Sequence, residues 1–204
     1  MRIFRTCRIA ETPALRFIKR AKDISSVVQL LGASDMIDDI FKRPLPIDKK
    51  FESRFAPTGF MKNVLYASEK KDTTYHEYGY HLLKAPDLIN KPIYANTYFL
   101  NLVTHNALLD VSQAPNKDQI LSRTTYTPAH SWINQQDLNA LDVIKYPNVR
   151  DPQPGGINFA IFNKNSVTVT AQAPETLIMI PLPNNSLEIQ LVDDSKMTIT
   201  PLMQ

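Results

Sequence analysis

The sequence predicts one domain of mixed α/β (α+β) class, and three observations carry that expectation. Apolar residues recur near the helical period over 13–41, alternate with polar ones over 92–110, and alternate again through a β-rich tail at 164–204. Helix-like and strand-like segments are therefore interspersed, which favours a mixed sheet over separate all-helical and all-strand units. At 204 residues and 43% hydrophobic, the chain holds enough apolar surface for one ordinary core. The domain divides into a helical N-terminal part (1–41), a core that bears the motifs (43–163) and the tail (164–204).

Each element has its own local reason. Leu15, Phe17 and Ile18, then Val27, Val28, Leu30 and Leu31, then Met36, Ile37, Ile40 and Phe41 fall on helical spacing, with a break at Gly32 and an N-cap at Ser34. Pro44, Pro46, Pro57 and Gly59 keep 43–60 extended or looped. N-V-L-Y-A-S at 63–68 reads as a buried strand. Asp72-Thr73-Thr74 then caps a helix running to about Lys84, with Asp72 supplying the capping oxygen and Glu77 in the second turn. Tyr94, Tyr98, Leu100 and Leu102 give one or two strands within 92–110. Thr127-Pro128 opens a helix to about Ala140, since proline suits the first helical position. A strand, a turn and a second strand fill 142–163, and the tail repeats short strands between Pro-Asn-Asn and Asp-Asp-Ser turns.

Composition excludes several classes of function. The net charge of +3 is spread along the chain in clusters no longer than pairs such as Lys49-Lys50, too thin a patch for direct nucleic-acid binding. Cys7 is the only cysteine, so no intrachain disulfide or cysteine-rich metal site forms and a reducing, cytoplasmic setting is expected. The N-terminus lacks the apolar stretch of a signal peptide, and no apolar run is long enough to span a membrane. Export by a dedicated secretion machine stays open. No P-loop, Gly-rich dinucleotide fingerprint or G-x-S-x-G elbow occurs. His76 and His81 flank Glu77, but their spacing of five turns the imidazoles about 140° apart on a helix, which argues against zinc hydrolysis.

Four short motifs in order carry the functional signal: S-R-F-A-P at 53–57, V-L-Y-A-S at 64–68, Y-H-E-Y-G-Y-H at 75–81, and Y-P-N-V-R-D-P-Q-P-G-G at 146–156. Together they resemble the RES-domain family, named for an Arg, a Glu and a Ser, whose members consume nicotinamide adenine dinucleotide (NAD). The resemblance implies a compact fold like that of ADP-ribosyltransferases, NAD as substrate without a metal, and cleavage of the nicotinamide–ribose bond. The resemblance leaves water, phosphate and a protein side chain open as acceptors, so NAD glycohydrolase, NAD phosphorylase and ADP-ribosyltransferase activities all fit.

The same resemblance assigns candidate residues. Glu77 takes the place of the family carboxylate, and Tyr66 precedes it at the family's spacing. A carboxylate suits that chemistry because bond cleavage builds positive charge on the ribose, which a fixed negative group stabilises selectively in the transition state. Arg54 matches the family's second Arg and Arg43 is the choice for its first, both offered to the diphosphate because guanidinium donates paired hydrogen bonds to phosphate. Pro44 follows Arg43 where an aromatic is usual. Phe55 and Tyr66 are candidates to wall the nicotinamide, and Tyr126 with Thr127 offers a hydroxyl and amides to the ligand. The main departure is P-N-V-R in place of P-S-x-R, which puts Asn148 at the serine position. Asn keeps a donor and an acceptor, so binding can survive, whereas a role needing the hydroxyl cannot. Arg150 is assigned to a salt bridge with Asp151 or Asp142 in preference to a phosphate contact, and His105, His130 and Trp132 to packing.

Most members of the family are toxins of bacterial toxin–antitoxin pairs. A helix-turn-helix antitoxin or an immunity protein is the partner this implies, with homo-oligomers possible inside such a complex. The competing expectations are a catalytically impaired scaffold that binds protein through its β-rich tail, and a secreted effector that depletes NAD.

Overall fold

The computed structural model describes residues 1–9, 20–23, 53–57, 60 and 63–203. Among these residues the frame is a ten-stranded mixed sheet whose middle is the N-terminal strand β1 (Arg2–Arg8). The helical assignment of 1–41 is therefore corrected at its start. R-I-F-R-T-C-R alternates, and it buries Ile3 and Cys7 on one face of the sheet. Most of the helical pattern at 13–41 lies outside the described residues, apart from Ala21–Asp23, which are helical.

β1 pairs antiparallel with β3 (Ile93–Leu102) from Arg2↔Asn101 to Arg8↔Ala95, and with β2 (Leu65–Ser68) at Phe4↔Ser68. The sheet continues from β2 to β6 (Ile157–Ile161), β5 (Leu141–Pro147) and β4 (Ala107–Asp110), with β4 and β5 parallel. On the other side β3 pairs with β8 (Glu175–Pro181), followed by β9 (Leu187–Gln190) and β10 (Lys196–Ile199). The short β7 (Val167–Val169) also pairs with β3. The β-rich tail is thus not an appendage but one wing of the same sheet. Its tight turns place Asn185 (φ 57°) and Asp194 (φ 64°) in the left-handed region that Asn and Asp tolerate.

Register decides which side chains share a face. Phe4, Thr6, Tyr66, Ser68, Thr97, Tyr146, Asn158 and Ala160 point to one side. Leu65, Ala67, Leu100, Phe159 and Ile161 join Ile3 and Cys7 in the core on the other. The helix α1 (Lys71–Leu83) lies on the first side, where the Thr6 amide donates to the Thr74 hydroxyl at 3.3 Å. Its expected capping by Asp72 is corrected, because the helix begins at Lys71 and no side chain caps it. Asp72 instead stands in the first turn, where its charge favours the helix dipole.

Two further helices cover the β4–β5 end, α2 (Lys117–Ile120) and α3 (Thr127–Ile133). Pro128 sits at the start of α3 as the sequence predicts, but the helix ends at Ile133, well short of Ala140. The polar run Asn134-Gln135-Gln136-Asp137 turns the chain instead. No helix of the described residues is long and apolar enough to cross a membrane.

Candidate active site

The motif at 146–156 closes β5 and β6 into a loop that fastens onto α1 at three successive positions of one helix face. Asp151 accepts a hydrogen bond from the Thr73 hydroxyl at 2.9 Å. Asn148 Nδ2 donates to Glu77 Oε2 at 3.1 Å. The Arg150 guanidinium lies over the Tyr80 ring at 3.5 Å. Spacings of four and three residues put Thr73, Glu77 and Tyr80 in line, so a loop crossing the helix meets all of them.

The loop itself is held by the Asn148 side chain, whose Oδ1 accepts from the Arg150 amide at 2.6 Å and the Asp151 amide at 2.7 Å. This turn capped by a side chain is a standard use of Asn. The Asn148 amide donates to the Gly156 carbonyl at 2.7 Å and closes the other end. Gly156 is required there, since a Cβ would stand 2.9 Å from Thr73 Oγ1 and 3.3 Å from Asn148 Cβ. One residue thus shapes the loop with its oxygen and touches Glu77 with its nitrogen.

Glu77 is held from the sheet as well. Asn158 of β6, 2% exposed, donates from Nδ2 to the same Oε2 at 3.1 Å, and its Oδ1 accepts from the Ser68 hydroxyl at 2.7 Å. Two carboxamides therefore occupy Glu77 Oε2, while Oε1 faces His81 Nε2 at 3.9 Å. The carboxylate is one-quarter exposed. Asn158 lies outside the four motifs, and Ser68, which closes V-L-Y-A-S, carried no assigned role in them. Their signal was a polar residue inside an apolar strand, facing the same side as Tyr66.

Arg54, Tyr66 and Tyr126 form a second group beside this one. The Tyr66 hydroxyl accepts from the Phe55 amide at 3.0 Å and lies 2.7 Å from Ser53 Oγ, so it fixes the conformation of S-R-F. Burial pushes its phenol up to about 12, against the lowering effect of those hydrogen bonds. Arg54 is 6% exposed and donates from one nitrogen to the carbonyls of Ile120 and Ser122 at 2.7 and 2.9 Å. Its guanidinium stands 5.2 Å from the centre of the Tyr126 ring. Burial raises the Tyr126 phenol, and the Glu77 and Tyr80 charges raise it further. The wholly buried Tyr146 phenol is raised well above its ordinary range by the same causes, burial first and Glu77 next.

Several expectations are corrected by these positions. Phe55 is fully buried, with its ring 5.0 Å from Tyr146 and 6.0 Å from Trp132, so it is core and not a wall for a ligand. Arg150 is 1% exposed and bridges neither Asp142 nor Asp151. It donates instead to the carbonyls of Arg123 at 2.8 Å and Leu202 at 3.2 Å. Asp142 is fully engaged with the His105 and Asn106 amides and the Asn106 and Asn163 side chains, which hold its carboxyl well below the usual range despite burial. His105 is exposed and takes no part in packing, whereas His130 bonds the Ser53 carbonyl at 2.9 Å and Trp132 packs on Phe55. Arg43 lies outside the described residues. Among the described residues no three His, Cys, Asp or Glu side chains gather as a metal site would need.

No curated protein matches the sequence. The model of one family, the RES domain, matches residues 33–181. That span contains β2, α1, the loop at 148–156 and every candidate residue, and it leaves out β1 and the β9–β10 hairpin. With well over half of its length inside the match, the chain belongs to the RES-domain family.

Proposed function

We propose that the protein cleaves the nicotinamide–ribose bond of NAD and acts as a RES-type toxin, with Glu77 as its central catalytic group. The observation that carries this reading is the clamp on Glu77: two carboxamides at 3.1 Å fix Oε2 and leave Oε1 for a ligand. A carboxylate held in advance among phenols stabilises an oxocarbenium-like ribose as its charge develops, with little reorganisation at the moment of reaction. The nicotinamide is already cationic before it leaves, so no strong general acid is needed. Arg54 and Tyr126 lie on the adjoining side and are the candidates to receive the diphosphate and its ribose, with Tyr66 holding their loop. Arg43 is proposed with them.

A second reading has one observation in its favour. Arg54 already spends a nitrogen on the Ile120 and Ser122 carbonyls, and with Asn148 at the serine position this would suit a scaffold that binds without turnover. Incubation of the purified protein with NAD, with and without phosphate, separates the two. Release of nicotinamide is expected; its absence at micromolar enzyme over hours sinks the enzymatic reading. Growth arrest on expression, relieved by a neighbouring helix-turn-helix antitoxin or immunity protein, is the expected cellular counterpart.

A further inference from the structure

His81 stands one turn beyond Glu77 on α1, half exposed, with Nε2 at 3.9 Å from the one Glu77 oxygen that the carboxamides leave open. That separation is what a single oxygen spans when it is hydrogen-bonded to both groups, since two contacts of about 2.8 Å meeting near a right angle reach across it. From this geometry we infer that water is the acceptor in NAD cleavage and that His81 is the general base which activates it. The inference rests on the reading of the site given above and adds to it a nucleophile and a proton acceptor.

The step balances. Nicotinamide leaves as a neutral molecule with the electron pair of its bond to the ribose. A lone pair of the water oxygen forms the new carbon–oxygen bond, and the water proton passes to His81 Nε2. The imidazolium then releases that proton to solvent, to which the half-exposed ring has access. Glu77 Oε1 orients the water and takes no proton in the step.

The charges around the ring favour this use. Crowding by surrounding protein holds the His81 pKa below its ordinary 6.5, and Arg5 of β1, Arg150 of the loop and Lys84 at the end of α1 push the same way. Glu77 pulls upward, and Tyr80 meets the ring edge-on at 5.2 Å. The imidazole is thus neutral and able to accept a proton at pH 7. A phosphate dianion would need no such base, so dependence on His81 bears on which acceptor is used.

The test is the pH profile of nicotinamide release by wild type and His81→Gln, with thermal melting of both and chromatography of the sugar product with and without added phosphate. Wild type should show a rate that falls with acid below pH 6.5. His81→Gln should lose that limb, drop about 10²-fold in kcat with KM within threefold, and melt as wild type does. ADP-ribose should be the product whether or not phosphate is present. An unchanged kcat in His81→Gln, an acid limb that persists in it, or a phosphorylated sugar as the main product overturns the inference while leaving NAD cleavage intact. A wild type that releases no nicotinamide removes the underlying reading, and the inference with it.

Discussion

Asn148 and Glu77 lie 71 positions apart in the chain and are joined by a 3.1 Å hydrogen bond from carboxamide to carboxylate. The same Asn148 caps the turn that follows it through both the Arg150 and Asp151 amides. Asn148, which the motif resemblance sets at the family's serine position, is therefore one of three residues that tie the loop to the helix, beside Asp151 and Arg150. Serine has a hydroxyl able to cap the turn, but a shorter reach toward α1.

Asn148→Ser should accordingly keep the turn, weaken the hold on Glu77, and change the rate of nicotinamide release by less than about tenfold, the equivalent of one ordinary hydrogen bond. Asn148→Ala loses both functions and should unfold about 1–2 kcal/mol more easily, as for loss of a capping side chain. Urea titration and the release assay on both variants check this. A large gain of activity in Asn148→Ser would show that the native Asn148 blocks chemistry.

Glu77→Gln should preserve the fold, because a Gln carbonyl can accept from both Asn148 and Asn158 in place of Oε2. What it removes is the negative charge. NAD binding measured by calorimetry should stay within a few fold, while nicotinamide release slows by about 10²–10³. Equal losses in binding and turnover would instead mean that Glu77 acts mainly in holding the substrate.

The sequence made the motif-bearing elements legible and missed their supports, for a physical reason. β2, the helix bearing Glu77 and the β5–β6 hairpin all announce themselves by period or by proline and glycine at turns, within a few residues. β1 does not, because R-I-F-R-T-C-R carries only short alternation among cationic residues, and its central place follows from pairing with residues some ninety positions away. Glu77, Tyr66 and Asn148 were visible as motif members. Asn158 was not, nor was any role for Ser68 at the end of V-L-Y-A-S, because a polar side chain beside apolar strand residues gains meaning only once register turns it toward Glu77. Phe55 and Arg54 belong to one motif yet meet different surroundings, aromatic rings for one and the Ile120 and Ser122 carbonyls for the other, and sequence order alone does not separate them.

Arg54→Ala should cost stability as well as affinity. Its removal leaves the Ile120 and Ser122 carbonyls without their donor in a buried place, at about 1–3 kcal/mol for each group not reached by water. A drop in the denaturation midpoint together with weaker NAD binding is expected. Weaker binding with no change in stability would place the guanidinium's main contacts on the ligand. Arg54→Lys should recover little of either effect, since an ammonium cannot reproduce the planar fork.

A strap from outside the family match also reaches the loop. Beyond β10, the Leu202 amide donates to the Arg150 carbonyl at 2.9 Å, and Arg150 in turn donates from its side chain to the Leu202 carbonyl at 3.2 Å. Pro201 packs close to Gly79 of α1, where an added Cβ would lie 3.3 Å from its ring. The end of the tail thus presses Arg150 onto Tyr80 and, through the turn at Asn148, steadies the group that holds Glu77. Leu202→Pro removes the amide donor, whereas Leu202→Ala keeps it and serves as the control. Hydrogen exchange at the Arg150 and Asp151 amides should speed up about tenfold in Leu202→Pro and little in Leu202→Ala, because local opening then lacks one ordinary hydrogen bond. Equal protection in both variants would show that the Asn148 turn stands without the strap. Slower nicotinamide release in Leu202→Pro alone would carry the effect from the tail through Arg150 and Asn148 to Glu77.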